Sequence, residues 1–262
     1  MNATGHELSA NMSALGLHPA KHTQKEVGIV DRLETAFSES RTPVALRLSN
    51  FAKFARRQDI ARFLTRYELF KLAQGANGSI VECGVFAGGG LMGWMHFSAS
   101  MEPYNHTRRI IGFDTFTGFP SLHLEDAGTS ENLHVGAYST HDSIEKELRD
   151  LISIHDSNRP IGHIPKVELV GGDATKTIKK YVDANPHLLI SLLYLDFDLY
   201  EPTKAALEYL LPRVVKGGVV AFDELNCGEY PGETTALRET VDIGTVPLQR
   251  MNLDPYISYF IK

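Results

Sequence analysis

The chain has 262 residues, 43% of them hydrophobic and 22% charged, with a net charge of −6 at pH 7. This composition excludes collagen, coiled-coil and disordered chains as the main state, and the acidic balance disfavours nucleic acid or an anionic membrane as a partner. No segment approaches the roughly 18 consecutive apolar residues of a membrane span, and the N-terminus lacks the features of a signal peptide. Two cysteines cannot form a disulfide framework, so we expect a reducing, cytoplasmic environment.

Residues 1–72 are predicted to form an N-terminal arm and a helical lid or oligomerisation segment. Residues 1–28 are weakly periodic, which is typical of an arm. From residue 30 to 72, apolar side chains recur at helical spacing, and this pattern predicts an amphipathic helix pair. Four arginines lie among them: Arg56, Arg57, Arg62 and Arg66. They form either a solvated face or a surface that meets an anionic ligand, and both interpretations stay open.

Residues 73–262 are predicted to form one α/β domain, because short apolar runs alternate there with helical segments. The predicted strands are 79–85, 109–114, 166–173, 188–198 and 217–225, and the predicted helices are 90–100, 142–155, 174–184 and 202–214. Nearly continuous apolar runs indicate a mostly parallel sheet with helices on both faces. We also expect an active-site lid in the polar insertion 115–141 and an antiparallel C-terminal strand in PYISYFI.

The first predicted strand runs into a glycine-rich segment, VECGVFAGGG. Glycines at the carboxyl end of such a strand let the backbone approach a ligand. Phe86 stands where a dinucleotide fingerprint requires its second glycine, and Glu82 precedes Gly84 by two residues. A carboxylate there accepts hydrogen bonds from an ammonium group, which suits the amino-acid end of S-adenosylmethionine (SAM) better than a pyrophosphate. The alternative is a tight turn without a ligand.

Acids also end the second and third predicted strands. Asp114 is at the position where nucleoside-binding sheets usually hold ribose hydroxyls; the alternative is that it only caps the following turn. Asp173 either serves the adenine edge or caps the helix that begins at Ala174.

The fourth and fifth predicted strands end in two pairs of acids. Asp196 and Asp198 alternate in LLYLDFDLY and are expected to face the same side of one strand, while Asp223 and Glu224 end the next. If these strands are neighbours, four carboxylates converge beside the glycine loop. Such oxygen ligands suit Mg²⁺, or another divalent cation such as Mn²⁺ or Ca²⁺. The alternative is that the acids cap helices and pair with Lys or Arg.

Four segments together resemble the macrocin O-methyltransferase (TylF-like) family, from about residue 66 to 240. They are VECGVFAGGG, GFDTFTGFP, LLYLDFDLYEPTKAALEYLLPRVVKGGVVAFDEL and GETTALRE. The resemblance implies a Rossmann-like class I methyltransferase fold and SAM- and Mg²⁺-dependent O-methylation. It also implies a small hydroxylated acceptor, often a sugar of a natural product or a nucleotide sugar, and a homodimer.

The resemblance further implies roles for individual residues. The SAM site would comprise Glu82, Gly84, Phe86, Gly88, Asp114, Thr115, Asp173, Ala174 and Asp196. The metal ligands would be Asp196, Asp223 and Glu224, and Asp198 would be the general base. The family usually has two aspartates and a tyrosine at the last of these strand ends, so Glu224 and Leu225 depart from its pattern. Catechol methyltransferases place a lysine three residues after the first metal aspartate; Leu199 stands there, which favours Asp198 as the base.

Two other classes compete with this interpretation. A nucleotide-dependent oxidoreductase or hydroxylase would use a similar sheet, but the dinucleotide fingerprint is absent. A non-catalytic SAM-binding protein would keep the fold, but it would have no need of the acid cluster.

Overall fold

The computed structural model describes residues 23–262, which divide into two compact units, one ending at Arg62 and the other running from Phe63 to Lys262. The predicted arm 1–28 falls almost wholly outside the described residues. The first unit contains the helices α1 (Gln24–Val27), α2 (Ile29–Ser38) and α3 (Val44–Ser49), and α4 (Arg57–Ala73) begins in it. The helical character predicted for 30–72 is therefore confirmed, but the segment has three α-helices and a 3-10 turn at Phe51–Lys53 rather than a helix pair. The function of this segment stays a prediction.

The first unit is held together by a small aromatic contact. The rings of Phe37 and Phe54 meet edge to face with centroids 5.1 Å apart. The Arg47 guanidinium lies over the Phe37 ring at 4.4 Å and donates a hydrogen bond to the Phe37 carbonyl oxygen.

The second unit is an α/β domain. Its strands are β1 (Ser79–Cys83), β2 (Ile110–Asp114), β3 (Val167–Gly171), β4 (Ile190–Leu195), β5 (Val214–Phe222), β6 (Gln249–Arg250) and β7 (Ser258–Ile261). Its helices after α4 are α5 (Gly89–Met101), α6 (Ile144–Ser157), α7 (Ala174–Ala184), α8 (Tyr200–Tyr209) and α9 (Gly232–Thr240). No helix in residues 23–262 is both long enough and apolar enough to cross a membrane.

The sheet has the order β3-β2-β1-β4-β5-β7-β6, with β1 to β5 parallel and β7 antiparallel to its neighbours. The predicted parallel sheet and antiparallel C-terminal strand are therefore confirmed. Cys83 pairs with Leu195, and Leu195 pairs with Phe222, so β1, β4 and β5 end level with one another. The residues that follow these three strands meet at one edge of the sheet.

Strand alternation divides the core between the two faces of the sheet. Ile80 and Leu192 pack on one face with Leu91 and Trp94 of α5. Val81, Leu193 and Val220 pack on the other face, where α7, α8 and α9 contribute Ile178, Leu207 and Leu237. Because both faces are covered, the central strands are apolar along nearly their whole length.

Several predicted boundaries are wrong. The predicted strands 79–85 and 217–225 are observed as Ser79–Cys83 and Val214–Phe222, so Asp223 and Glu224 follow their strand. The predicted helix 202–214 ends at Tyr209, because Pro212 lies in a 3-10 turn at Leu211–Arg213 and β5 begins at Val214. The predicted strand 188–198 ends at Leu195, so Asp196 and Asp198 do not alternate along a strand but lie in the turn after it.

Candidate active site

The glycine loop after β1 lies against the turn after β4. Gly84 has a φ of +96°, and a Cβ atom there would lie 1.9 Å from the Asp196 carbonyl oxygen. The Asp196 amide in turn donates to the Cys83 carbonyl oxygen at 2.8 Å. Only glycine fits this approach, which brings the predicted SAM loop and the first predicted metal ligand together.

Glu82 projects from β1 towards α5 and is 1% exposed. It fits there because Gly90 has no side chain: a Cβ atom at Gly90 would lie 1.9 Å from Glu82 Oε1. Burial raises the pKa of Glu82 to about 8, against the opposing effect of the Arg66 guanidinium. Its Oε2 atom is buried without a hydrogen-bond partner among residues 23–262. A buried carboxylate with an unsatisfied oxygen is suited to a cationic ligand group.

Arg66 supplies a cation to the same place. Its side chain, 12% exposed, comes from α4; Nη2 lies 3.6 Å from Asp196 Oδ2, and the guanidinium lies 5.2 Å from the centre of the Tyr194 ring. Sequence reasoning included Arg66 only as one of four arginines at helical spacing. The structure places it beside Asp196.

Asp114 ties the glycine loop to the end of β2. Its Oδ2 accepts hydrogen bonds from the Val85 amide at 2.7 Å and the Phe86 amide at 2.8 Å, and its Oδ1 accepts one from the Phe116 amide at 2.7 Å. Asp114 therefore does cap the following turn. A carboxylate offers about four acceptor positions, so a ribose hydroxyl could still donate to it. The neighbouring Thr115 hydroxyl donates to the Gly118 carbonyl oxygen at 2.7 Å.

Helix caps occupy two other predicted SAM positions. Asp173 Oδ1 accepts from the Thr175 amide at 3.0 Å and the Thr175 hydroxyl at 2.6 Å, so the helix-cap interpretation is confirmed. Ala174 is buried as the first residue of α7, and Gly88 is the left-handed N-cap of α5. The adenine contact of Asp173 stays a prediction.

An acid cluster lies where β4 and β5 end, and these strands are neighbours as expected. Asp196, Asp198 and Glu224 each contribute one carboxylate oxygen to a group in which all three oxygens lie within 4.8 Å of one another. Asp198 joins the group through a left-handed backbone, with a φ of +62°. Glu224 is half-buried, and its Oε2 is buried with no hydrogen-bond partner in the described part of the chain. Burial, and then the carboxylates of Asp223, Asp198 and Asp196, raise the pKa of Glu224 well above its usual range.

Asp223, the remaining predicted ligand, lies beside this group rather than in it. It is 1% exposed, and its Oδ1 accepts a hydrogen bond of 2.6 Å from the Tyr194 hydroxyl. Since ligating carboxylates are commonly held by such outer hydrogen bonds, this contact fits a ligand that binds through its other oxygen.

A fifth acid, Glu233, was missed by sequence reasoning. It lies in the first turn of α9 and is 0% exposed. Its Oε1 accepts from the Phe197 amide and its Oε2 from the Glu224 amide, each at 3.2 Å. The only sequence signal is its place in GETTALRE, where an acid at the start of a helix is ordinarily explained by the helix dipole.

The predicted lid is fastened beside the acid cluster. The Thr129 amide donates to the Gly228 carbonyl oxygen at 3.2 Å, and the Ser130 hydroxyl donates to the Tyr230 hydroxyl oxygen at 2.6 Å. The Tyr138 and Tyr230 hydroxyls are hydrogen-bonded at 2.6 Å. Burial, followed by the Asp198 carboxylate, raises the pKa of Tyr138. Tyr138 of the lid and Tyr230 of the loop after β5 therefore place two phenols near Asp198. The lid histidines, in contrast, are exposed: His123, His134 and His141.

Left-handed backbone is concentrated around this edge. Of the six non-glycine residues with positive φ in the described chain, five follow β1, β2, β4 and β5 or lie in the lid: Phe86, Phe116, Tyr138, Asp198 and Asn226. Each such residue costs about 1–3 kcal/mol, and such strain is typical of functional sites.

The sheet order, with an acid and a glycine loop at β1 and acids after β4 and β5, defines a Rossmann-like methyltransferase fold. The family model described as "Macrocin-O-methyltransferase (TylF)" matches residues 56–254. The chain belongs to this family.

Individual relatives agree with this assignment. The chain is similar to the crystal structure of CalS11, a calicheamicin methyltransferase, with 33% identity, a TM-score of 0.89, and coverage of 92% of this chain and 93% of the other. An apo structure of CalS11, described as a TDP-rhamnose 3'-O-methyltransferase, is 32% identical with a TM-score of 0.79, covering 92% of this chain and 95% of the other.

A curated relative from Streptomyces olivaceus, 8-demethyl-8-(2,3-dimethoxy-alpha-L-rhamnosyl)-tetracenomycin-C 4'-O-methyltransferase, is 28% identical over 166 residues. That match spans 58% of this chain and only 55% of the relative's length.

Proposed function

We propose that this protein transfers a methyl group from SAM to a sugar hydroxyl of a natural product or nucleotide sugar, with the assistance of a divalent cation, most simply Mg²⁺. One observation carries the proposal: the carboxylates of Asp196, Asp198 and Glu224 are crowded together, and Glu224 also has a buried oxygen with no hydrogen-bond partner among residues 23–262. Acids crowded in this way are costly unless a cation or protons compensate them.

The SAM site is supported by residues at the carboxyl ends of β1 and β2. Glu82 offers the ammonium group a buried carboxylate oxygen that has no hydrogen-bond partner among residues 23–262, and Asp114 keeps an acceptor position for a ribose hydroxyl. When bound, SAM supplies a methyl group already activated by its sulfonium. The contribution of the protein is to hold that methyl group in line with the acceptor oxygen.

The donor set at the acid cluster fits a hard divalent cation, because every side chain in it offers carboxylate oxygen. We assign Asp196, Asp223 and Glu224 as ligands, with the Tyr194 hydroxyl orienting Asp223. When bound, a divalent cation supplies Lewis-acid activation that lowers the pKa of an acceptor hydroxyl. Asp198 is the base: it takes the hydroxyl proton while the oxygen forms its new bond to the methyl carbon and the bond from that carbon to sulfur breaks.

The acceptor class is proposed from the relatives and from the lid. Both CalS11 and the Streptomyces olivaceus relative are described as methyltransferases for rhamnose-containing molecules. In this chain, the phenols of Tyr138 and Tyr230 provide hydroxyl groups near Asp198, which suits a sugar acceptor. A homodimer and a cytoplasmic location also stay proposals.

Calorimetric titration with SAM, in the presence and absence of Mg²⁺, tests the cofactor assignment. We expect SAM to bind in both conditions, because Glu82 and Asp114 lie outside the acid cluster. If neither SAM nor its demethylated product binds, the proposed function is wrong. If SAM binds but no acceptor is methylated, the non-catalytic alternative is favoured.

A further inference from the structure

Glu233 contacts both turns that carry the acid cluster. One of its oxygens accepts the Phe197 amide, which lies between Asp196 and Asp198, and the other accepts the Glu224 amide. Each turn follows a different strand, β4 or β5. The side chain therefore bridges the two turns through the backbone, independently of the acids that they carry.

The burial of this bridge is costly. Glu233 is 0% exposed, so its carboxylate has exchanged hydration by water for hydrogen bonds from the Phe197 and Glu224 amides. A neutral side chain could fill the same volume more cheaply. A buried acid among acids is therefore better explained by a function than by stability.

We infer that Glu233 is a positioning residue that fixes the spacing between the turn of Asp196 and Asp198 and the turn of Glu224 for a divalent cation. This inference rests on the proposed function. A carboxylate suits the task, because it offers two acceptors to two backbone amides. In a glutamine, one acceptor is replaced by an NH₂ group, which would face an N–H and break one side of the bridge.

Manganese titration of the full-length protein, followed by the EPR signal of free Mn²⁺, tests the inference without requiring turnover. We expect Glu233→Gln to weaken Mn²⁺ binding about 10- to 100-fold, as is usual when outer-sphere partners of a metal site are lost. Glu239→Gln is the matched control, since it makes the same change on the same helix at an exposed side chain bound to Lys204. The control should bind Mn²⁺ like the wild-type protein.

A second variant separates bridging from charge. Glu233→Asp keeps the carboxylate but is shorter by one methylene, so it should reach only one turn and also weaken Mn²⁺ binding. An unchanged unfolding midpoint would show that each variant is folded. If one variant does not fold, the other still decides the question.

The outcomes distinguish this inference from the proposed function. If the wild-type protein does not bind Mn²⁺, the cation assignment itself is wrong. If the wild-type protein binds Mn²⁺ and Glu233→Gln binds it equally well, the cation assignment stands and the positioning role of Glu233 is overturned. Wild-type affinity in Glu233→Asp would overturn the two-turn bridge.

Discussion

The acids after β2 and β3 differ from the acids after β4 and β5 in what surrounds them. Asp114 and Asp173 receive hydrogen bonds from backbone amides and complete their local turns without any ligand. Burial, and then the neighbouring carboxylates, raise the pKa values of Glu224 and Glu233. The first region completes its hydrogen bonds within the chain, whereas the second is electrostatically complete only with a cation or bound protons.

The largest expected effect separates the general base from the metal ligands among the acids after β4 and β5. Asp198→Asn should lower kcat about 10²- to 10⁴-fold through loss of the base, with Mn²⁺ affinity nearly unchanged. Asp223→Asn should weaken Mn²⁺ binding itself. Steady-state kinetics and Mn²⁺ titration of the two variants check this prediction. If Asp198→Asn loses Mn²⁺ binding while Asp223→Asn retains it, the assignment of Asp223 as a ligand is wrong. The ligands are then Asp196, Asp198 and Glu224, whose carboxylate oxygens lie together in the structure.

A smaller effect, on SAM binding, is expected from substitution of Glu82, which lies on β1 between the two regions in the sheet. Its pKa of about 8 leaves it mostly protonated at pH 7, so binding of the SAM ammonium should release a proton from it. SAM affinity should therefore increase as pH rises towards 8 and fall again above it, because the α-amino group of SAM loses its proton there. Glu82→Gln should abolish this proton release and weaken SAM binding about tenfold or more.

Calorimetry in buffers of different ionisation enthalpy measures the released proton. Glu68→Gln, at an exposed side chain paired with Lys71, is the matched control and should behave like the wild-type protein. Equal proton release from Glu82→Gln and the wild-type protein would exclude Glu82 as the ammonium partner.

The smallest effect concerns the first region. Asp173→Ala removes a helix cap and should destabilise the fold by about 1 kcal/mol, whereas Asp173→Asn should largely keep the cap. Denaturant unfolding measures this difference, and SAM titration of both variants measures the adenine contact. A large loss of SAM affinity in Asp173→Asn, without loss of stability, would show that the residue serves the cofactor more than the helix.

Much of the fold could be predicted from sequence, because apolar runs and helical spacing report directly on strands covered on both faces. The strand-end acids were recognisable for the same reason: parallel strands end at one edge. Asp198 was placed correctly beside Asp196 but for the wrong reason, since a left-handed turn, rather than strand alternation, brings it there.

Arg66 and Glu233 could not be singled out in the same way. Each lies on a helix, α4 or α9, whose approach to the site depends on tertiary packing rather than on local spacing. An arginine among apolar residues and an acid in a first helical turn both have ordinary local explanations. Only the contacts with Asp196 and with the two turn amides separate them from such residues.

Methyl transfer from isotopically labelled SAM to TDP-rhamnose, followed by mass spectrometry, tests the central claim most directly. The reaction should proceed with Mg²⁺, stop when a chelator removes divalent cations, and resume when Mg²⁺ is restored. An equal rate of labelled product formation in the presence of chelator would contradict the account, because the acid cluster would then act without a cation.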